Sequence, residues 1–153
     1  MTAPATVEQA VKQRLEADSQ LMAILTGGVW TTRQPLENMA SVRDDAGRGQ
    51  LKPLAVIVPG PPIIEDQFQA DVMGVLARTF SVYLYQPGPG YEVVSVAVTH
   101  VERVLQAGRL PNTSNYTCQS PMKMPDEPAA IEQSLQFASL VVSRWQVVTR
   151  RIS

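Results

Sequence analysis

At 153 residues the chain has the length of a single domain, here read as 1–153, long enough to bury roughly 68–70% of the surface its unfolded form exposes. Thirteen basic against fourteen acidic residues leave a net charge of −1, which excludes global electrostatic steering toward nucleic acid or acidic lipid. One cysteine, Cys118, excludes an internal disulfide framework and suits a reducing compartment. No stretch reaches the length of a membrane span, and the N-terminus lacks the basic-then-apolar order of a secretory signal.

Residues 1–5 read as a loose tail. Thr6 and Gln9 then have capping-box spacing, in which a hydroxyl and a side-chain amide satisfy the orphan backbone groups of a helix start. The helix they begin places Val7, Ala10, Val11 and Leu15 on one stripe and Glu8, Lys12 and Glu16 in solvent. Asp18-Ser19 predicts the cap of a second, short helix carrying Leu21, Met22, Ile24 and Leu25. Gly27-Gly28 ends it, and residues 29–32, Val-Trp-Thr-Thr, read as a strand.

Periodicity disappears from Gln34 to Lys52, where Asn38, Arg43, Asp44, Asp45, Gly47, Arg48 and Gly49 predict a charged surface loop. The run 54–58, Leu-Ala-Val-Ile-Val, is continuously apolar and β-branched, as a central strand requires, and Pro59-Gly60-Pro61-Pro62 stops it. From Ile63 to Ala77 the pattern fits either a helix through Phe68, Val72 and Val75 or the arm of an extended hairpin. Two long loops in one compact chain point to function, since such loops are commonly binding elements or disordered.

The stretch 78–86 alternates: Phe80, Val82 and Leu84 form a dry face, and Thr79, Ser81, Tyr83 and Tyr85 a semi-polar one. Beyond the Pro87–Gly90 corner, residues 91–107 repeat Val94, Ala97, Val98, Val101, Val104 and Leu105 at helical spacing, with Gly108 as the expected C-terminal cap. That stripe is expected on the dry face of the sheet. Tyr116–Ser120 reads as a strand, and Pro121, Pro125 and Pro128 break the next segment. A last strand spans 135–150, apolar on both faces through 137–142; beyond it Trp145, Val147 and Thr149 alternate with Arg144, Gln146 and Arg150. The sum is an α+β fold: a small mixed or antiparallel sheet packed against an N-terminal helix and a central crossing helix, with long loops.

No catalytic set accompanies these elements. His100 is the single histidine and falls beside the buried stripe of the central helix, without a nucleophile motif. Cys118 reads as a small core residue. One histidine and one cysteine are too few for a zinc site, and the acidic pairs Asp44-Asp45, Glu65-Asp66 and Asp126-Glu127 lack calcium-loop spacing. Pro87-Gly88-Pro89-Gly90 precedes a helix as a phosphate loop does, but it has no lysine and its prolines remove the amides that would hold phosphate. Trp30, Tyr83, Tyr85 and Trp145 lack the interleaved basic residues of a single-strand nucleic-acid groove, so sheet packing or a protein interface explains them better. The expectation is an assembly protein without cofactor, metal or catalytic residues. Its candidate interface comprises Arg43 and Arg48 in the first loop, Ile63 and Phe68 in the second, Tyr83 and Tyr85 on the semi-polar face, and Arg144, Trp145 and Arg150 on the last strand.

The order of elements resembles the tail-terminator, or tail-completion, proteins of long-tailed bacteriophages. The likeness begins with the helix Val7 to Leu15, the leucine-rich stretch 17–25, then Gly27-Gly28-Val29-Trp30 entering the first strand. It continues through the strands at 54–58 and 78–85, the helix at 91–108 and the last strand at 137–148. The charged loop 38–52 and the proline-bounded segment 59–77 depart from the simplest members. Such a resemblance implies a homo-oligomeric ring, usually a hexamer, that caps the tail tube, ends its polymerisation and joins the tail to head-completion or connector proteins. DNA would pass through its lumen without specific recognition, no membrane would be involved, and assembly would take place in the host bacterial cytoplasm before residence in the virion. The alternatives are a head-tail stopper or other neck protein and, from another class, a small cytosolic α+β enzyme or ligand-binding domain.

Overall fold

Helix α1, Val7–Glu16, starts where the sequence says it should: the Thr6 hydroxyl accepts the Gln9 N–H at 3.2 Å, and the Gln9 side chain takes the Ala5 N–H at 2.9 Å. Its stripe of Val7, Ala10, Val11 and Leu15 is buried. Asp18 caps α2, Ser19–Ile24, by accepting the Leu21 N–H at 2.8 Å. Gly28, at φ +93°, then turns the chain into strand β1, Val29–Trp30. The structure, a computed structural model, describes residues 3–31, 51–60, 74–88, 90–125, 130–132 and 138–152. Most of both expected long loops, including Arg43, Arg48, Ile63 and Phe68, lies outside the described residues.

The remaining elements are β2 (Leu54–Pro59), β3 (Val75–Gln86), α3 (Glu92–Gln106), β4 (Tyr116–Cys118), β5 (Met122–Lys123), β6 (Ala130–Glu132) and β7 (Ala138–Arg151). Among the described residues the strands form one sheet in the order β1-β2-β3-β7-β4, with β5 and β6 also on β7. Only β1 and β2 run parallel; the other pairs are antiparallel. This is the α+β architecture expected, with mixed strand directions and helices on one face.

Strand β7 is the spine. Its residues 139–150 pair with β3, Phe80 standing opposite Trp145, and its other edge takes β6, β5 and β4 in succession. That second edge is one interrupted strand. From Cys118↔Thr149 to Met122↔Gln146 it gains one residue on β7. Such a bulge bends an edge and spoils it as a template for unwanted pairing, and Pro121 and Pro125 reinforce the effect.

The helices cover one face. Phe80, Val82, Leu84, Trp145 and Val147 meet the α3 stripe of Val94, Ala97, Val101, Val104 and Leu105 and the α1 stripe in a single buried cluster. Each large aliphatic side chain buried there contributes about 1.5–3 kcal/mol. Three differences from the sequence reading have clear causes. Gly108 is not the left-handed cap of α3: positive φ occurs at Gly28, Gly74 and Gly90, and the helix closes on Ala107 in a right-handed conformation. The face read as semi-polar is dry at one end, where Tyr85 packs with Leu51, Leu54, Val56, Leu140 and Val142 in a second cluster. Of the segment read as either helix or hairpin arm, Val75–Ala77 are strand and extend β3 along β7 to Arg150 rather than pairing with β2, and residues 63–73 lie outside the described residues.

Candidate functional site

The face of the sheet opposite the helices carries the candidate surface, and strand length shapes it. Strand β2 ends at Pro59, opposite Phe80, while β3 and β7 continue to Val75 and Arg150. A groove of about 190 Å³ opens at that step, lined by Val58 and Gly60 from the end of β2, Thr79, Ser81 and Tyr83 from β3, and Arg144 from β7. The walls hold together tightly. The Gly60 N–H donates to the Thr79 carbonyl at 2.9 Å, and a Cβ on Gly60 would lie 2.3 Å from the Thr79 hydroxyl. Hydroxyls, a phenol ring and a guanidinium on a half-buried shelf suit contact with another polypeptide.

The sequence-predicted residues separate here. Tyr83 and Arg144 come together on the groove, both half-buried. Arg150 is exposed near the end of β7. Tyr85 is 1% exposed and Trp145 is fully buried, so within the subunit both serve packing. The Tyr83 and Tyr85 rings lie 6.4 Å apart, tilted by 44°, linking the groove to the second cluster. Trp145 lies on the helix face, donating its Nε1–H to the Ser143 hydroxyl at 2.8 Å, with the Lys123 ammonium 5.8 Å from its ring. The alternation read along this strand already sets Arg144 and Trp145 on opposite faces, since consecutive residues point to opposite sides. Sequence reasoning missed Thr79, Ser81 and Gly60 as groove residues, because the step between β2 and β3 follows from long-range register.

His100 lies on α3, away from the groove, where its Nδ1 accepts from Arg103 at 3.1 Å. Arg103 in turn meets Asp18 at 2.9 Å, bridging α3 to the start of α2. The hydrogen bond from Leu21 and the adjacent Arg103 hold the Asp18 carboxyl below its ordinary range. Cys118 is buried, and burial pushes its thiol up, which keeps it protonated and poorly nucleophilic. Among the described residues no cluster of His, Cys, Asp and Glu is placed to hold a metal ion, and no helix is long and apolar enough to cross a membrane.

No protein-family model matches the chain, and no curated protein matches it in sequence. Its fold is similar to that of a chain in the virion of a native gene transfer agent particle, with a TM-score of 0.66, 16% sequence identity and 94% of each chain covered. At that identity the likeness is one of fold.

Proposed function

We propose that the chain is a structural subunit of a phage-like virion, without catalytic activity, that assembles as a ring on the last ring of a tail tube. The observation that carries this reading is the fold shared over 94% of both chains with a virion component. It agrees with the element order through which the sequence resembles tail terminators, and with a principal surface that is a shelf of hydroxyl, phenol and guanidinium groups. The mechanism is geometric. Head-to-tail contacts close by rotation into a ring, a hexamer in this reading, with one face mated to the tube protein and the other to head-completion or connector proteins. Capping works because the outer face does not repeat the tube's own contact, so no further tube subunit adds. DNA passes through the lumen as cargo of the particle. Loss of the subunit is therefore expected to give over-long tails that lack heads, seen by electron microscopy of particles from a strain deleted for its gene. Tails of normal length still joined to heads in that strain would overturn the proposal.

A further inference from the structure

One edge of β3 is paired over only part of its length. From Phe80 to Tyr85 it carries β2, and the Gly60 N–H still reaches the Thr79 carbonyl; beyond that point β3 runs on to Val75 without β2. Arg151 donates its N–H to the Gly74 carbonyl and Val75 stands opposite Arg150, so Gly74, Leu76 and Arg78 turn their backbone groups toward β7. Val75 and Ala77 therefore turn theirs the other way, as Thr79 does toward Gly60. Among the described residues nothing pairs with these two N–H and two C=O groups.

The far margin of the sheet is finished differently. Tyr116 on β4 donates its N–H to the Thr113 hydroxyl at 2.9 Å, and its carbonyl accepts the Thr113 N–H at 2.9 Å. The Cys118 N–H meets the Asn112 side-chain oxygen at 3.3 Å, and the Cys118 carbonyl accepts from Arg109 Nε at 3.1 Å. The outward backbone groups of β4 are thus satisfied within the subunit, which removes it as a template for another strand. Strands β1, β5 and β6 are only two, two and three residues long. Prolonging β2 in register would not close the open lane either. It would set Pro62 opposite Ala77, where the ladder needs an N–H that proline lacks.

We propose that the lane beside Val75–Ala77 receives an extended strand of another protein of the particle, which continues the line of β2 and completes the sheet. Backbone donors and acceptors alternating at strand spacing match an extended polypeptide. A second copy of the chain is not the fitting donor, because its described margins are capped or too short. The arriving strand has no proline where an N–H must meet the Val75 or Ala77 carbonyl. Its residue beside Leu76 is apolar, since Leu76 is half-buried on the helix face opposite Thr149. At its inner end the lane opens past Gly60 and Thr79 into the groove of Tyr83 and Arg144, so lane and groove form one surface. The proposal rests on the virion reading for where the partner is sought.

Backbone-amide hydrogen exchange tests it residue by residue, by NMR on the free full-length chain and by quenched exchange on purified phage-like particles. In the free chain the Val75 and Ala77 amides are expected to exchange about tenfold or more faster than those of Leu76 and Arg78, and in the particle to slow by about tenfold or more. Ala77→Pro removes an N–H that no described residue uses, and should shift the melting temperature by less than about 4 °C. It should nevertheless reduce incorporation into particles by about tenfold or more, whereas Ala77→Val, which keeps the N–H, is incorporated normally. Slow Val75 and Ala77 amides in the free monomer, equally fast ones in the particle, or normal incorporation of folded Ala77→Pro would each overturn the lane and leave the virion reading standing. The exchange rates decide whether or not Ala77→Pro folds. Protection that arises when the purified chain associates with itself would overturn the choice of another protein as donor. Absence of the chain from purified particles would overturn the virion reading, and this donor with it.

Discussion

The side-chain carbonyl of Gln86 accepts the backbone N–H of Val94 at 2.9 Å, and the same oxygen takes the Val93 N–H at 2.8 Å. The last residue of β3 thus caps α3 across the Pro87–Gly90 corner, where the side chain of the N-cap residue Tyr91 does not itself cap the helix. Gln86 is 1% exposed, so solvent does not replace it. Replacing Gln86 with Ala is expected to cost about 1–3 kcal/mol, because two helix-start donors lose their partner in a buried setting. Urea unfolding checks this; a change below about 0.5 kcal/mol would mean that the corner finds another acceptor.

Trp145 gives a second test. Trp145→Ala is expected to lose about 3–5 kcal/mol, the range for emptying a fully buried aromatic site. Trp145→Phe keeps most of the volume but strands the Ser143 hydroxyl, which now accepts the indole N–H at 2.8 Å. Adding Ser143→Ala to Trp145→Phe should therefore recover part of the loss, since removing both polar partners is cheaper than removing one. Strictly additive losses in the double-mutant cycle would contradict the pairing.

Asp18 predicts a pH dependence. Its carboxyl is held below the ordinary range first by the Leu21 N–H and then by Arg103, while partial burial works against both. A depressed folded-state value means stabilisation that is present above the unfolded value of about 3.9 and lost as pH falls through the folded one. The wild type should therefore lose stability on acidification below about pH 5, and Asp18→Asn should lose less over that window. Urea midpoints measured across the range decide it, and parallel curves for the two proteins would refute the role of the charge.

His100→Ala is expected to leave ring assembly unchanged and stability within about 0.5 kcal/mol, the usual range for a surface substitution. Loss of assembly in a folded His100→Ala protein would reopen the possibility of chemistry at this residue.

The helices were legible because their signals are local. Thr6, Gln9 and Asp18 mark starts through contacts three or four residues away, and the stripes of α1 and α3 follow from spacing alone. The long strands β3 and β7 were legible for the same reason, by alternation. What escaped depends on partners distant in sequence. The strands β5 and β6 carry two and three residues with no pattern of their own and exist because β7 offers an edge. Tyr85 looked like a semi-polar surface residue until Leu51 and Leu140, far apart in the chain, closed over it. Gly108 had the residue type of a cap, but Ala107 closes the helix without a left-handed turn. The groove at Tyr83 and Arg144 required the register of three strands at once.

Strand β7 also dictates when the fold can form. It lies between β3 and the β4–β6 edge, yet comes after all of them in sequence. Until residues 138–151 are available, no hydrogen-bonded ladder among the described residues joins β3 to β4, and one edge of β3 stands open to other strands. Closure is then a late, non-local event of the kind that slows folding and lengthens exposure to aggregation. Among the described residues, a chain cut before Ala138 would keep the β1-β2-β3 ladder and take from β4, β5 and β6 the one strand with which each pairs.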